Sequence, residues 1–329
     1  MKNGIRLLLL AFLFLPLLLP GQVKLIYDTD FGGDADDLGA LAMLHQFVDR
    51  GECELLAVMC WNLEEYAVSA IDAVNRFYGH PDIPIGSRQG EHTYVDWNHS
   101  KVIADHFPHE RSWKNVPETT VLYRQLLSEA ADGEIVIVTV GPLANILYLL
   151  ESEPDSISPL TGQALVRQKV KEFVIMGGQF PSGEKEWNFD GDMPGITQQV
   201  VAQIPVPIVF SGFEVGQPIK SGEVFNELDE DTPLYVGFLH FTEHAPWFDR
   251  EFNGRILDNS TFDQTAVLYA VRNGEGRYWE KVSQGHCLPD ETGGNTWVKE
   301  ENKAHSYLRI LKTAEEMATI IEGFMMGTF

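Results

Sequence analysis

Short apolar runs rich in β-branched residues alternate with longer stretches of helical period along most of this chain. That alternation is the sequence sign of a mainly parallel open sheet flanked by helices, an α/β fold of Rossmann-like core. Residues 23–27, 55–59 and 83–85 read as the first three strands, with helices over 38–48 and 66–77 between them. A polar, aromatic-rich insertion follows at 89–116, then a helix over 118–131. Residues 135–140, 173–176 and 206–210 read as further strands, with helices starting near Leu143 and Gly195. The last hundred residues are less regular: a helix over 265–271, strand material at 296–299 and a closing helix over 314–325. With 44% hydrophobic residues in 329, the chain can bury a large core, and nothing in it reads as a linker.

Lys2 and Arg6 precede an uninterrupted apolar run at residues 7–19, followed by Pro20 and Gly21. This is the layout of a secretory signal peptide at 1–21, with 22–329 as one domain and export to the periplasm or the medium as the expected destination. The run is short of the roughly 20 residues that cross a bilayer, so no membrane association is expected after cleavage. The formal charge of -24 repels phosphate backbones and excludes nucleic acid as a natural partner. Three cysteines are too few for a disulfide scaffold. Cys53 and Cys60, at the two ends of one strand and ~20 Å apart at the usual rise, are expected as separate buried thiols.

The first strand ends in Asp28-Thr29-Asp30-Phe31-Gly32-Gly33-Asp34-Ala35-Asp36-Asp37, five carboxylates within ten residues. Acids so crowded raise one another's pKa or need a bound cation, and oxygen-only ligands favour a hard ion such as Ca²⁺ or Mg²⁺. The location supports a site, because open parallel sheets bind ligands beyond the carboxyl ends of their strands. An EF-hand does not fit, since Gly32 and Gly39 stand at the fifth and twelfth positions counted from Asp28. A Mg²⁺-dependent phosphohydrolase of the haloacid-dehalogenase type, with Asp28 as nucleophile, remains an alternative. Asn62, the Val140-Gly141-Pro142-Leu143-Ala144-Asn145 segment and Met176-Gly177-Gly178 follow other strands and should share that edge. Further on, Glu186-Trp187-Asn188 and Phe262-Asp263 each set an acid beside an aromatic residue.

In this order, these segments resemble the inosine-uridine-preferring nucleoside hydrolase family over roughly residues 23–275. The resemblance implies a Ca²⁺-dependent ribohydrolase acting on a small-molecule nucleoside, assembled as a dimer or tetramer. By position it makes Asp30, Asp37, Asp263 and the carbonyl of Val140 the metal ligands and Asp30 the general base. Asp36, Asn62, Glu186 and Asn188 become the ribose-binding groups. Two departures stand out. Phe31 and two additional residues, which bring in Asp34, interrupt the commoner acidic loop, and Phe262 occupies the place where many members carry a histidine that protonates the leaving base. His240, His244 and Trp247 are then the candidates on the leaving-group side. A calcium-dependent ribose-binding protein without turnover is the other alternative.

Overall fold

The computed structural model describes residues 21–191, 194–247, 251–301 and 303–329; the apolar run at 7–19 lies outside them. Thirteen strands are found among these residues: β1 (Val23–Thr29), β2 (Cys53–Cys60), β3 (Ile85–Ser87), β4 (Ile135–Thr139), β5 (Val170–Met176), β6 (Ser182–Gly183), β7 (Ile208–Ser211), β8 (Lys220–Ser221), β9 (Asn259–Ser260), β10 (Trp279–Val282), β11 (His286–Pro289), β12 (Asn295–Val298) and β13 (His305–Ile310). Eight of them form the central sheet, in the order β10-β13-β7-β5-β4-β1-β2-β3. Every pairing in it is parallel except β10 with β13. From β1 the chain first builds outward through β2 and β3, then returns to place β4 on the other side of β1. The loops after β1 and β4 therefore part at a topological switch point, where such sheets hold their ligands.

Register sharpens that placement. Thr29 pairs with Cys60, Asp28 with Thr139, and Met176 with Ser211, so the strands end at nearly one level and their following loops share one edge. Successive side chains alternate between two cores, one on each face. Leu25, Tyr27, Val136 and Val138 enter the first with the Asp36–Asp49, Ala67–Phe77, Phe262–Arg272 and Ala314–Met325 helices. Ile26, Ile135 and Ile137 enter the second with the Thr119–Glu129, Ala144–Glu151, Gly162–Lys169 and Ile196–Gln203 helices. Burial on both faces is why these strands read as continuous apolar runs rather than alternating ones.

Several boundaries differ from the sequence expectation. The third strand lies at Ile85–Ser87, two residues later than its apolar centre, because its pairing with β2 begins opposite Val58. The insertion carries a helix, Ser100–His106. The Gly162–Lys169 and Pro233–His244 helices and β10, β11 and β13 were not legible from periodicity. Cys53, Cys60 and Cys287 are free and buried. Among the described residues, no helix is long and apolar enough to cross a membrane.

Candidate active site

Between β1 and the Asp36–Asp49 helix, the acidic loop is held from beneath by its own hydroxyl. Thr29 Oγ1 accepts the N–H of Phe31 at 3.1 Å and donates to Asp37 Oδ1. Phe31 drops its ring fully into the core, edge-on to His99. Gly32 then takes φ +130°, and a Cβ there would run into Ser100 Oγ, so only glycine fits. His99 clamps the turn, its backbone N–H donating to Gly32 O at 2.9 Å and its Nε2 to Asp34 O at 2.9 Å. The residues that lengthen the loop are thus anchored by the Asn98–Ser100 segment, which sequence reasoning had left within an unassigned insertion.

Asp36 and Asp37 occupy the first turn of their helix, where its dipole favours anions. Asp263, in the first turn of the Phe262–Arg272 helix, reaches the same place, its N–H donating to Asp36 Oδ2 at 3.3 Å. Carboxylate oxygens of Asp36, Asp37 and Asp263 all lie within 4.8 Å of one another, and the three side chains are buried. Burial first, and then the charges of the neighbouring acids, holds all three carboxyls well above the usual range. Such a group is a ready cation site of hard oxygen donors. The resemblance implies a sugar-binding role for Asp36, whose carboxylate here lies beside those of Asp37 and Asp263.

Asp30 stands at the edge of this group. Its charge is felt by Asp36, Asp37, Asp263 and Glu186. Trp187 Nε1 donates to its Oδ2 at 3.0 Å. Gly141 lets the loop after β4 close on it, since a Cβ there would lie 2.8 Å from the Asp30 nitrogen. The Val140 carbonyl accepts Asn188 Nδ2 at 2.8 Å, and the same amide reaches Met176 O at 3.1 Å. Glu186 caps the short Trp187–Asp190 helix, its carboxylate accepting the N–H groups of Gly178, Asn188 and Phe189. Burial nevertheless pushes its carboxyl up to about 7. Asn62 bends over the loop, Nδ2 donating to Asp30 O at 3.0 Å and Phe31 O at 3.2 Å, so it holds the loop that carries Asp30. Asp34, half-buried, accepts Asn259 Nδ2 and is raised by burial to about 6.

The other carboxylate of the motif has a different fate. Asp28 is 0% exposed and receives Tyr123 Oη at 2.7 Å and Asn145 Nδ2 at 3.1 Å. Fully buried, it ties β1 to the Thr119–Glu129 and Ala144–Glu151 helices and is not accessible to an incoming phosphoryl group. This removes the support for a phosphohydrolase.

On the opposite side of the loop, Trp97 lies against Gly33, a Cβ on which would sit 3.4 Å from its ring. Trp247 packs edge-on against Trp97, centroids 4.9 Å apart. His240 stacks on His244 at 4.2 Å, and burial, followed by the neighbouring His244, keeps it below the usual imidazole value. His240 and Trp247 thus adjoin the site through Trp97, while His244 is exposed. Phe262 stacks on Phe213 with centroids 5.1 Å apart.

The profile of the family described as inosine-uridine preferring nucleoside hydrolase matches residues 25–324. Curated pyrimidine-specific ribonucleoside hydrolases RihB, from Shigella flexneri and from Escherichia coli strains, are 26% identical over 151 residues, which is 43% of this chain and 43% of theirs. A purine-preferring ribonucleoside hydrolase from Gardnerella vaginalis shares the fold with a TM-score of 0.67 at 14% identity, covering 93% of this chain and 98% of its own. The Bacillus anthracis inosine-uridine preferring nucleoside hydrolase gives 0.65 at 14%, covering 93% and 100%, and the plant nucleoside hydrolase PpNRh1 0.65 at 17%, covering 93% and 99%. The chain belongs to the inosine-uridine preferring nucleoside hydrolase family.

Proposed function

We propose that this protein hydrolyses the N-glycosidic bond of a ribonucleoside or related N-riboside, releasing ribose and free base, with calcium as its metal. The observation that carries the reading is the convergence of the adjacent Asp36 and Asp37 with Asp263, more than two hundred residues further along the sequence, within 4.8 Å at the switch point of the sheet. The donors fit a hard divalent ion: Asp37 and Asp263 would hold it, with Asp30 and the Val140 carbonyl completing the set and Asp36 in reach. Bound there, calcium supplies positive charge that offsets the buried acids and makes water more acidic.

The chain's own groups account for the rest. Asp30 takes the proton of the attacking water as its oxygen bonds C1′ and the C1′–N bond breaks. Positive charge then grows on the sugar ring, and the surrounding carboxylates stabilise it. Glu186 and Asn188, fixed by backbone hydrogen bonds, orient sugar hydroxyls, and Asn62 keeps the Asp30 loop in place. Export through residues 1–21 belongs to the same proposal and rests on the apolar run at 7–19.

The test is a reducing-sugar assay over purine and pyrimidine ribosides, with chelator and with calcium added back. Ribose release that stops with chelator and returns with Ca²⁺ is expected. Ribose binding without release, with the metal restored, would leave only the non-catalytic alternative.

A further inference from the structure

Aromatic faces left to solvent surround the carboxylate floor. Trp187, 62% exposed, reaches over Asp30; Trp97 stands beside Gly33 and carries Trp247, 51% exposed, edge-on against it. Phe213, 38% exposed, stacks on Phe262 next to Asp263. The N–H of Phe213 donates to Gly178 O at 2.8 Å, and Gly178 in turn donates to Glu186, so this pair belongs to the same edge. Exposed rings cost solvation until a flat partner covers them, and rings beside anionic groups select a partner that is both flat and positively charged. The formal charge of -24 adds a long-range field that draws cations to the site.

Two imidazoles next to this rim, His99 and His240, neither oppose a cation nor supply a ready proton. His99 is pushed down to about 4 by burial and gives its Nε2 hydrogen to Asp34 O. His240 is likewise held low by burial and by His244. A neutral purine or pyrimidine leaves with the bonding pair on a ring nitrogen and needs a proton to leave easily. A cationic base needs none: as C1′–N breaks, the pair neutralises the ring's own positive charge. The water's oxygen goes to C1′, one of its protons goes to Asp30, and the balance is cationic riboside plus water giving ribose, neutral base and one proton.

We propose that the preferred substrates are N-ribosides whose base is a planar cation, held between the Trp97–Trp247 and Phe213–Phe262 pairs above the carboxylates. The proposal rests on the hydrolase reading and deepens it. N7-methylguanosine and guanosine, nearly the same in shape and differing in charge, are compared at pH 6, with nicotinamide riboside as a second cation. After division by the ratio of the uncatalysed rates, kcat/KM is expected to favour N7-methylguanosine at least 10-fold. Trp247→Leu should cut that preference at least 5-fold through KM, and Trp247→Phe, which keeps a π face, should restore most of it. A corrected ratio at or below one, or Leu and Phe variants that behave alike, overturns the proposal while guanosine cleavage keeps the hydrolase reading. No ribose from any riboside overturns both.

Discussion

Asp72 and the Asp36–Asp37–Asp263 group are both acids buried by the same helical layer, and the fold treats them in opposite ways. Asp72, with its side chain fully covered, accepts the N–H groups of Glu110 at 2.7 Å and Arg111 at 3.0 Å and pairs with Arg76 Nε at 2.8 Å. Burial alone would raise its carboxyl, but those N–H groups and Arg76 outweigh it and hold the carboxyl below the usual value. Among the described residues, the three site acids are met by neutral donors, the Thr29 hydroxyl on Asp37 and the Asp263 N–H on Asp36, and by the charges of one another and of Asp30 and Asp34. Where the chain supplies its own cation, a buried acid joins elements together. Where it does not, the acid is poised for a cation from outside.

The sharpest way to break this contrast is turnover. Asp30→Asn should lower kcat by about 10²-fold or more while the fold persists, the range expected for a general base. Asp72→Asn should leave kcat within a few-fold, because it touches only the Arg76–Glu110–Arg111 side. Steady-state ribose release and circular dichroism on both variants check this; equal losses would mean that Asp30 acts through the fold.

Stability should separate them next. Calcium at a hundred times its Kd should stabilise the wild type by about 2.7 kcal/mol, and Asp37→Asn should abolish most of that gain. In chelator the sign reverses: Asp37→Asn keeps an oxygen for Thr29 and removes one like charge, so that variant should be more stable than wild type. Asp72→Asn should cost about 1–3 kcal/mol with or without calcium, through donors left unpaired. Thermal or urea unfolding of the three proteins decides it.

The same contrast predicts pH behaviour. A carboxyl raised on folding contributes stability that is present below its unfolded value, near 3.8, and lost as pH rises through its folded value. In chelator, the disadvantage of wild type against Asp37→Asn should therefore shrink steadily from pH 7 toward pH 4. A carboxyl lowered on folding works the other way, so the Asp72 contribution should hold over that range and fade only below it. Urea midpoints at several pH values test both slopes; a gap that widens on acidification would contradict the burial of uncompensated charge.

The sheet was legible because its strands are buried on both faces, so their apolar runs carry no competing pattern, and the Ala314–Met325 helix matched its expected span to the residue. The polar and edge elements were less so. The Ser100–His106 helix sits in an insertion whose partner is the acidic loop, and β11 with β12 owes its form to pairing with β6, which also seats the Glu186 segment through Gly293 O. Such elements follow from contacts distant in sequence and leave little period to read. Asp36 and Asp37 stood out because acids crowded on a strand-end loop are chemically conspicuous, whereas Asp263, which the fold brings beside them, entered the site only through the family resemblance. Tyr123, Trp97 and His99 were missed, each an ordinary residue until the fold sets it against Asp28, Gly33 or Asp34.

Asp34 gives the finest test, since it lies between the two classes. It is raised to about 6 by burial like the site acids, yet the Asn259 amide and the N–H of Asp36 serve it as donors, and its backbone carbonyl holds His99. If its role is to shape the loop, Asp34→Asn keeps an acceptor for both donors and should change kcat by less than about 10-fold and stability by less than about 1 kcal/mol. Its calcium affinity should fall only slightly, because a charge removed beyond the trio weakens attraction without deleting a ligand. A loss as large as that of Asp37→Asn would move Asp34 into the group that holds the ion and would make the lengthened loop part of the site's chemistry rather than its support.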